Sequence, residues 1–308
     1  MHGMLLRRGV AALNAGRASE QHVGPSDPML AAEDLLRRAT APEDSTMPMP
    51  AAMVVVAHPD DETIALGGRM GRFQEAHFVH VTDGAPRNEQ DSRAHGFGAL
   101  SDYRAARAEE LKCMFMTAGL AAVSCSCLNV PDQEASLNLA EITRQLVRHI
   151  THHDPEVIFA HPYEGGHPDH DGCAFAVHHA VELNRARGGR RPLILEAPFY
   201  NADPNGFTSG TFLERGERMP EIAYSLTPDE RKRKHALIEC FATQKETLKG
   251  FHDETERYRI APVYDFTRPP HAGKLLYENY PWGMSCERFC QLAQEAAEDL
   301  TRESARQR

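Results

Sequence analysis

Met53-Val54-Val55-Val56-Ala57-His58-Pro59-Asp60-Asp61-Glu62 is the stretch on which the reading of this chain rests. Its first half is a short, unbroken apolar run rich in β-branched residues, the pattern of a strand buried on both faces of a parallel sheet. Its second half turns abruptly to histidine, proline and three carboxylates. Chemistry-bearing side chains therefore leave the carboxyl end of a buried strand, where open α/β sheets place their ligands.

Strand and helix patterns alternate downstream. Helices are predicted over 63–75, 103–119, 137–149 and 167–187, and strands over 77–82, 122–130, 157–160 and 193–200. That spacing predicts an α/β fold: a Rossmann-like, mostly parallel sheet with helices on both faces. Past residue 201 the alternation stops, and helices over 228–249 and 285–302 flank a Pro-rich stretch at 260–273. This region is expected to cover the sheet's active edge instead of extending the sheet. Upstream, 29–39 reads as an amphipathic helix and 40–50 as a Pro/Met/Ser linker, giving an extension over 1–50 and one domain over 51–308. The extension is expected to pack on the surface or to be partly disordered, with no chemistry of its own. One connection is long: 83–102 holds about twenty Gly, polar and charged residues after the second strand, a length typical of functional loops.

Composition narrows the classes. The 308 residues carry 34 Lys and Arg against 44 Asp and Glu, a net charge of −10, which argues against nucleic acid or an anionic membrane as the main partner. No apolar run approaches the ~18 residues of a membrane span. Seven cysteines form no CxxC pair and read as free, buried thiols. The first 25 residues lack a long apolar core, since Arg17, Glu20, Gln21 and His22 interrupt it, so a reducing cytoplasm is expected. The sequence leaves the oligomeric state open, association with copies of itself included.

A second motif, His161-Pro162-Tyr163-Glu164-Gly165-Gly166-His167-Pro168-Asp169-His170, follows the fourth predicted strand. Either motif alone reads as a turn and helix cap, with Asp60, Asp61 or Asp169 as the capping residue. Two such runs on one sheet edge argue instead for a metal site, because neutral imidazole and hard carboxylate together suit Zn²⁺ or Fe²⁺.

AHPDDE after the first strand, Gly67-Gly68, a VTDG after the second strand and HPDH after the fourth resemble the LmbE/PIG-L family of metal-dependent de-N-acetylases. The resemblance covers roughly residues 52–200. It implies a Rossmann-like fold and removal of acetyl from N-acetylglucosamine units of small glycoconjugates. It implies His58, Asp61 and His170 as ligands of Zn²⁺ or Fe²⁺, and Asp60 as general base. It implies His167 as the group facing the oxyanion, with Asp169 orienting it. Arg107, in an R-x-x-E with Glu110, is implied to contact sugar hydroxyls, although the spacing equally fits a surface ion pair. Asp132 is a weaker match to an aspartate that holds the sugar. The pattern departs from the family at Tyr163, which stands too far before His167 for the tyrosine that assists the oxyanion in some members.

His161 reads as a core or turn residue beside the site. His77, His80, His152, His153, His178 and His179 read as surface or packing residues. The loop stretches 269–273 and 277–280 fit a cleft wall and a plain ordered loop equally. Two rival functions remain at this stage. Two histidines and a carboxylate also make the facial triad of an Fe²⁺ oxygenase, and a non-catalytic metal- or sugar-binding protein could share the fold. The oxygenase needs no second aspartate as base, and the binding protein needs neither Asp60 nor His167.

Overall fold

The computed structural model describes residues 28–203, 206–214, 218–251 and 254–306; the first 25 residues, read above for a leader, lie outside them. Five parallel strands lie in the order β3-β2-β1-β4-β5: β1 (Ala52–Val56), β2 (His77–Thr82), β3 (Ser124–Val130), β4 (Val157–Ala160) and β5 (Leu193–Glu196). Val54 stands beside Phe78 of β2 on one side and Phe159 of β4 on the other.

The period-two alternation of strands divides β1 between two cores. Val54 and Val56 face a cluster with Phe73, Phe78, Phe115, Phe159 and Leu237. This is the side of α1 (Pro28–Ala39), α2 (Asp61–Leu66), α4 (Leu100–Thr117) and α7 (Pro228–Ile238). Met53 and Val55 face the other way, against Ile142, Leu146 and Ile150 of α5 (Leu139–His153) and Cys173 and Val177 of α6 (Pro168–Ala186). A third cluster joins α6 to α9 (Cys286–Arg306) through Tyr163, Phe175, Phe266, Tyr277 and Phe289. α1 is tied in by buried Leu36 and Ala39.

The fold is α/β, with a mixed, mostly parallel seven-stranded sheet and helices on both faces. The region after residue 201 departs from expectation, because it does extend the sheet. β9 (Thr255–Ile260) pairs antiparallel with β5, Leu195 beside Ile260, and β8 (Glu221–Ser225) pairs with β9. Charged residues hide this strand in the sequence. Glu256 and Arg259 are buried only because Arg69, Lys234 and Glu196 pair with them. At the crevice side, Leu276 donates its N–H to the Gly165 carbonyl and Trp282 lies against His167, while α9 packs on α5 and α6.

Three further elements differ. The strand expected over 193–200 breaks at Pro198, which has no N–H for a ladder. Its remainder is β6 (Tyr200–Asp203), in a hairpin with β7 (Gly206–Ser209). The helix expected over 63–75 is α2 followed by 3₁₀ turns at Gly67–Arg72. The helix expected over 228–249 stops at Ile238, with the short α8 (Lys245–Leu248) beyond it. The long connection carries the short α3 (Gln90–Ala94). Among the described residues no helix is long and apolar enough to cross a membrane.

Candidate metal centre and active site

Strand order reverses between β1 and β4, whose carboxyl ends form the crevice of this sheet. The first motif leaves β1 and the second leaves β4, so topology alone brings His58–Glu62 against His161–His170. Gly166 permits the closest approach, since a Cβ there would sit 1.9 Å from the Tyr200 carbonyl oxygen.

Asp61 stands between two histidines. The Asp61 carboxylate lies 3.3 Å from His58 Nδ1 through one oxygen and 3.4 Å from His170 Nε2 through the other. Nitrogens of His58 and His170 are within 4.8 Å of each other. The opposite face of the His58 ring is held by carboxylates, with Nε2 3.1 Å from Asp132 Oδ1 and 3.3 Å from Asp169 Oδ2. A proton on Nε2 donates to Asp169 Oδ2 and leaves the Nδ1 lone pair on the Asp61 side. Carboxylates orient metal-binding imidazoles in this way. His170 Nε2 is buried and makes no hydrogen bond. An orphaned imidazole nitrogen, a carboxylate and a tautomer-fixed histidine are a donor set that fits a divalent transition metal.

The electrostatics agree. Burial works against a charged His58, but Asp132, Asp169 and Asp61 outweigh it and push its pKa well up. Burial also opposes ionisation of Asp61, yet His170 and His161 hold its pKa well below the usual carboxylate range.

Asp60 is held differently. Its φ is +144°, a region L-residues rarely adopt, at a cost of order 1–3 kcal/mol. Three contacts fix it: its N–H donates to Glu62 Oε2 at 3.1 Å, while the Arg107 guanidinium donates to the Pro59 carbonyl at 2.7 Å and to Asp60 Oδ2 at 3.0 Å. Burial raises the Asp60 pKa to about 7 against the pull of Arg107. Gly84, at φ +64°, gives Arg107 room, because a Cβ there would lie 2.8 Å from Nε.

His167 caps α6, its Nδ1 accepting the Asp169 N–H at 3.1 Å. In the neutral ring the proton is therefore on Nε2. Burial first, then His58, depress its pKa to about 3.

The expected site residues thus fall in one place, with one correction. The Asp169 carboxylate does not orient His167; it accepts the N–H groups of Gln133 and Ala135 at 2.6 and 2.9 Å and faces His58, and its main chain makes the His167 bond. Arg107 is 2% exposed, so it is not a surface ion pair; one nitrogen is spent on Pro59 and Asp60, while Nε and Nη1 make no hydrogen bond. Asp132 abuts His58, with its side chain 16% exposed at the rim.

His161 stands beside the site as read, and three other neighbours escaped the sequence reading. His161 stacks on His170 at 4.0 Å, and its Nε2 accepts the Ala57 N–H at 2.9 Å, so that nitrogen is engaged. Buried His80 pairs with Glu62; a histidine inside an apolar strand was the signal, since such a group needs a partner. The Tyr200 ring lies 5.3 Å from His170, whereas Tyr163 is buried in the third core with its hydroxyl on the Arg268 carbonyl. Trp282, the single tryptophan, lies 4.4 Å from the His167 ring and stacks on Tyr280 at 4.4 Å. Of the two loop stretches, 277–280 divides accordingly: Tyr277 is core, and Tyr280 backs Trp282. The cysteines also differ from expectation. All seven are free, but Cys113, Cys125 and Cys127 are exposed.

Comparison with known proteins reaches the same place. Residues 53–181 match the family described as PIG-L, GlcNAc-PI de-N-acetylase. Among solved structures, A40926 pseudoaglycone deacetylase Dbv21 superimposes with a TM-score of 0.53 at 16% identity, over 70% of this chain and 98% of that one. The zinc inhibited form of teicoplanin deacetylase Orf2 gives 0.51 at 14%, over 70% and 99%. The deacetylase–teicoplanin complex gives 0.51 at 15%, over 70% and 100%. At these identities the structures share a fold. The match to the PIG-L (LmbE-like) family itself is confined to residues 53–181.

Proposed function

We propose that the protein, through a domain over residues 51–308, is a metal-dependent hydrolase that removes an N-acetyl group from a small N-acetylglucosamine-type conjugate. One observation carries the reading: the Asp61 carboxylate reaches His58 Nδ1 through one oxygen and His170 Nε2 through the other, while Asp60 stands beside them, ionisable and separately held. Support comes from the family match and from fold neighbours described as A40926 pseudoaglycone and teicoplanin deacetylases, one of them in a zinc inhibited form. Zn²⁺ fits the donor set, and Fe²⁺ would fit it too.

A divalent cation on those three residues would supply Lewis acidity toward water and the amide carbonyl. The remaining work belongs to the chain. Asp60 takes the proton of the attacking water and returns it to the leaving amine, fixed for both steps by Arg107 and Glu62. His167 offers its Nε2 proton to the developing oxyanion, where a preorganised donor is worth ~3 kcal/mol. Trp282 closes over His167 and keeps bulk water from that side. Asp132, at the rim, is placed to hold a sugar hydroxyl. The free cysteines support a reducing, cytoplasmic setting.

A mass-spectrometric screen of N-acetylated sugar conjugates with zinc-reconstituted protein tests the reading. Loss of one acetyl group without dioxygen or an oxo-acid cosubstrate supports it. Turnover that requires either one would favour the oxygenase, and binding without turnover a sugar-binding protein.

A further inference from the structure

A second histidine cluster lies at the opposite edge of the sheet. His77 opens β2, at the amino end of the strand whose carboxyl end serves the crevice, roughly 17 Å away along the strand. His149 and His153 lie one turn apart at the end of α5. His77 Nε2 is 3.0 Å from His149 Nδ1, and the His77 and His153 rings stack at 3.8 Å. One nitrogen from each of the three lies within 4.8 Å of the others.

We propose that His77, His149 and His153 form a second, structural transition-metal site that staples β2 to the end of α5. Tetrahedral Zn²⁺ with nitrogens at ~2.0–2.1 Å sets ligand atoms ~3.3 Å apart, close to the observed His77–His149 separation. The rings stack nearly parallel, so His149 and His153 must turn about Cβ–Cγ to converge, and that torsion is broad for histidine. His77 is already oriented: Ser124 Oγ sits 2.8 Å from its Nδ1. A proton on Nδ1 donates to that hydroxyl and presents Nε2 as the ligand. No carboxylate belongs to the set, so Zn²⁺, Ni²⁺ or Cu²⁺ fits it and Mg²⁺ or Ca²⁺ does not. His149 and His153 are only partly buried, which gives the ion an entry path.

The test is zinc stoichiometry of the full chain by equilibrium dialysis and elemental analysis, after chelator stripping. Wild type should take up two equivalents. Asp61→Ala should keep one. His149→Ala with His153→Ala, alanines suited to an exposed helix face, should also keep one while retaining any hydrolase activity. All three changes together should bind none. Ser124→Ala should weaken the second equivalent by ~10–100-fold, as loss of an orienting partner does. Circular dichroism of each variant shows that the fold is kept. Unchanged stoichiometry in the double histidine variant, or unchanged affinity in Ser124→Ala, overturns the proposal. If Asp61→Ala kept both equivalents while the double variant lost one, the crevice assignment would fail and this one would stand.

Discussion

His80 Nε2 lies 3.0 Å from Glu62 Oε2 in a solvent-free position, and the same carboxylate oxygen accepts the Asp60 N–H at 3.1 Å. The middle of β2 thus reaches, through one side chain, the backbone of the residue proposed as base. Glu62 is the last letter of the motif, and its work is to hold a left-handed Asp60 in place.

Removing one partner of this buried pair should cost ~3–5 kcal/mol. His80→Gln should also lower kcat by about tenfold with zinc content unchanged, because Asp60 loses its tether and no ligand is touched. Burial disfavours the charged ring, but Cys125 and then Glu62 raise the His80 pKa from 6.5 to about 10. A raised folded-state pKa means the stabilisation is complete below pH 6.5 and is lost as pH climbs through about 10. The difference in Tm between wild type and His80→Gln should therefore narrow from neutral to alkaline pH; a constant difference would show that the pair carries no charge.

Asp60→Asn should keep its metal and lose turnover by ~10²–10⁴-fold, the usual cost of removing a general base. Elemental analysis beside steady-state kinetics checks it, and near-normal turnover at neutral pH contradicts the role.

Arg107→Met separates two readings of one residue. Buried against Asp60 and the Pro59 carbonyl, Arg107 should act on kcat and on stability, with KM for the sugar conjugate little altered. A variant that folds as well as wild type and loses only substrate affinity would return Arg107 to the sugar.

Trp282→Ala removes the indole resting on the His167 ring. An aromatic pair is worth ~0.5–1.5 kcal/mol, so kcat/KM should fall by up to about tenfold while metal is retained. A change in zinc content instead would mean the indole supports the ligands.

Much of this was legible in the residues themselves. β2 and β4 could be bounded from their apolar runs, and both motifs could be placed at one sheet edge because each follows such a run. The rest was hidden for physical reasons. β9 alternates, but its inward Glu256 looks like surface until Arg69 and Lys234 are seen to neutralise it. Asp169 and Arg107 matched motif positions, yet their partners lie 34 and 47 residues away in the chain, at Ala135 and Asp60. Trp282 and Tyr200 reach the site only through tertiary packing, which no local period encodes.

The central claim is hydrolysis of an acetamide at the centre formed by His58, Asp61 and His170. Its most direct test is acetate release from an N-acetylglucosamine conjugate, measured by mass spectrometry with zinc-reconstituted wild type and Asp61→Ala in parallel with their zinc content. Stoichiometric acetate and free amine from wild type, with no acetate and one equivalent less zinc in Asp61→Ala, is the predicted result. Equal acetate release from both proteins, or full zinc occupancy in Asp61→Ala, would contradict it.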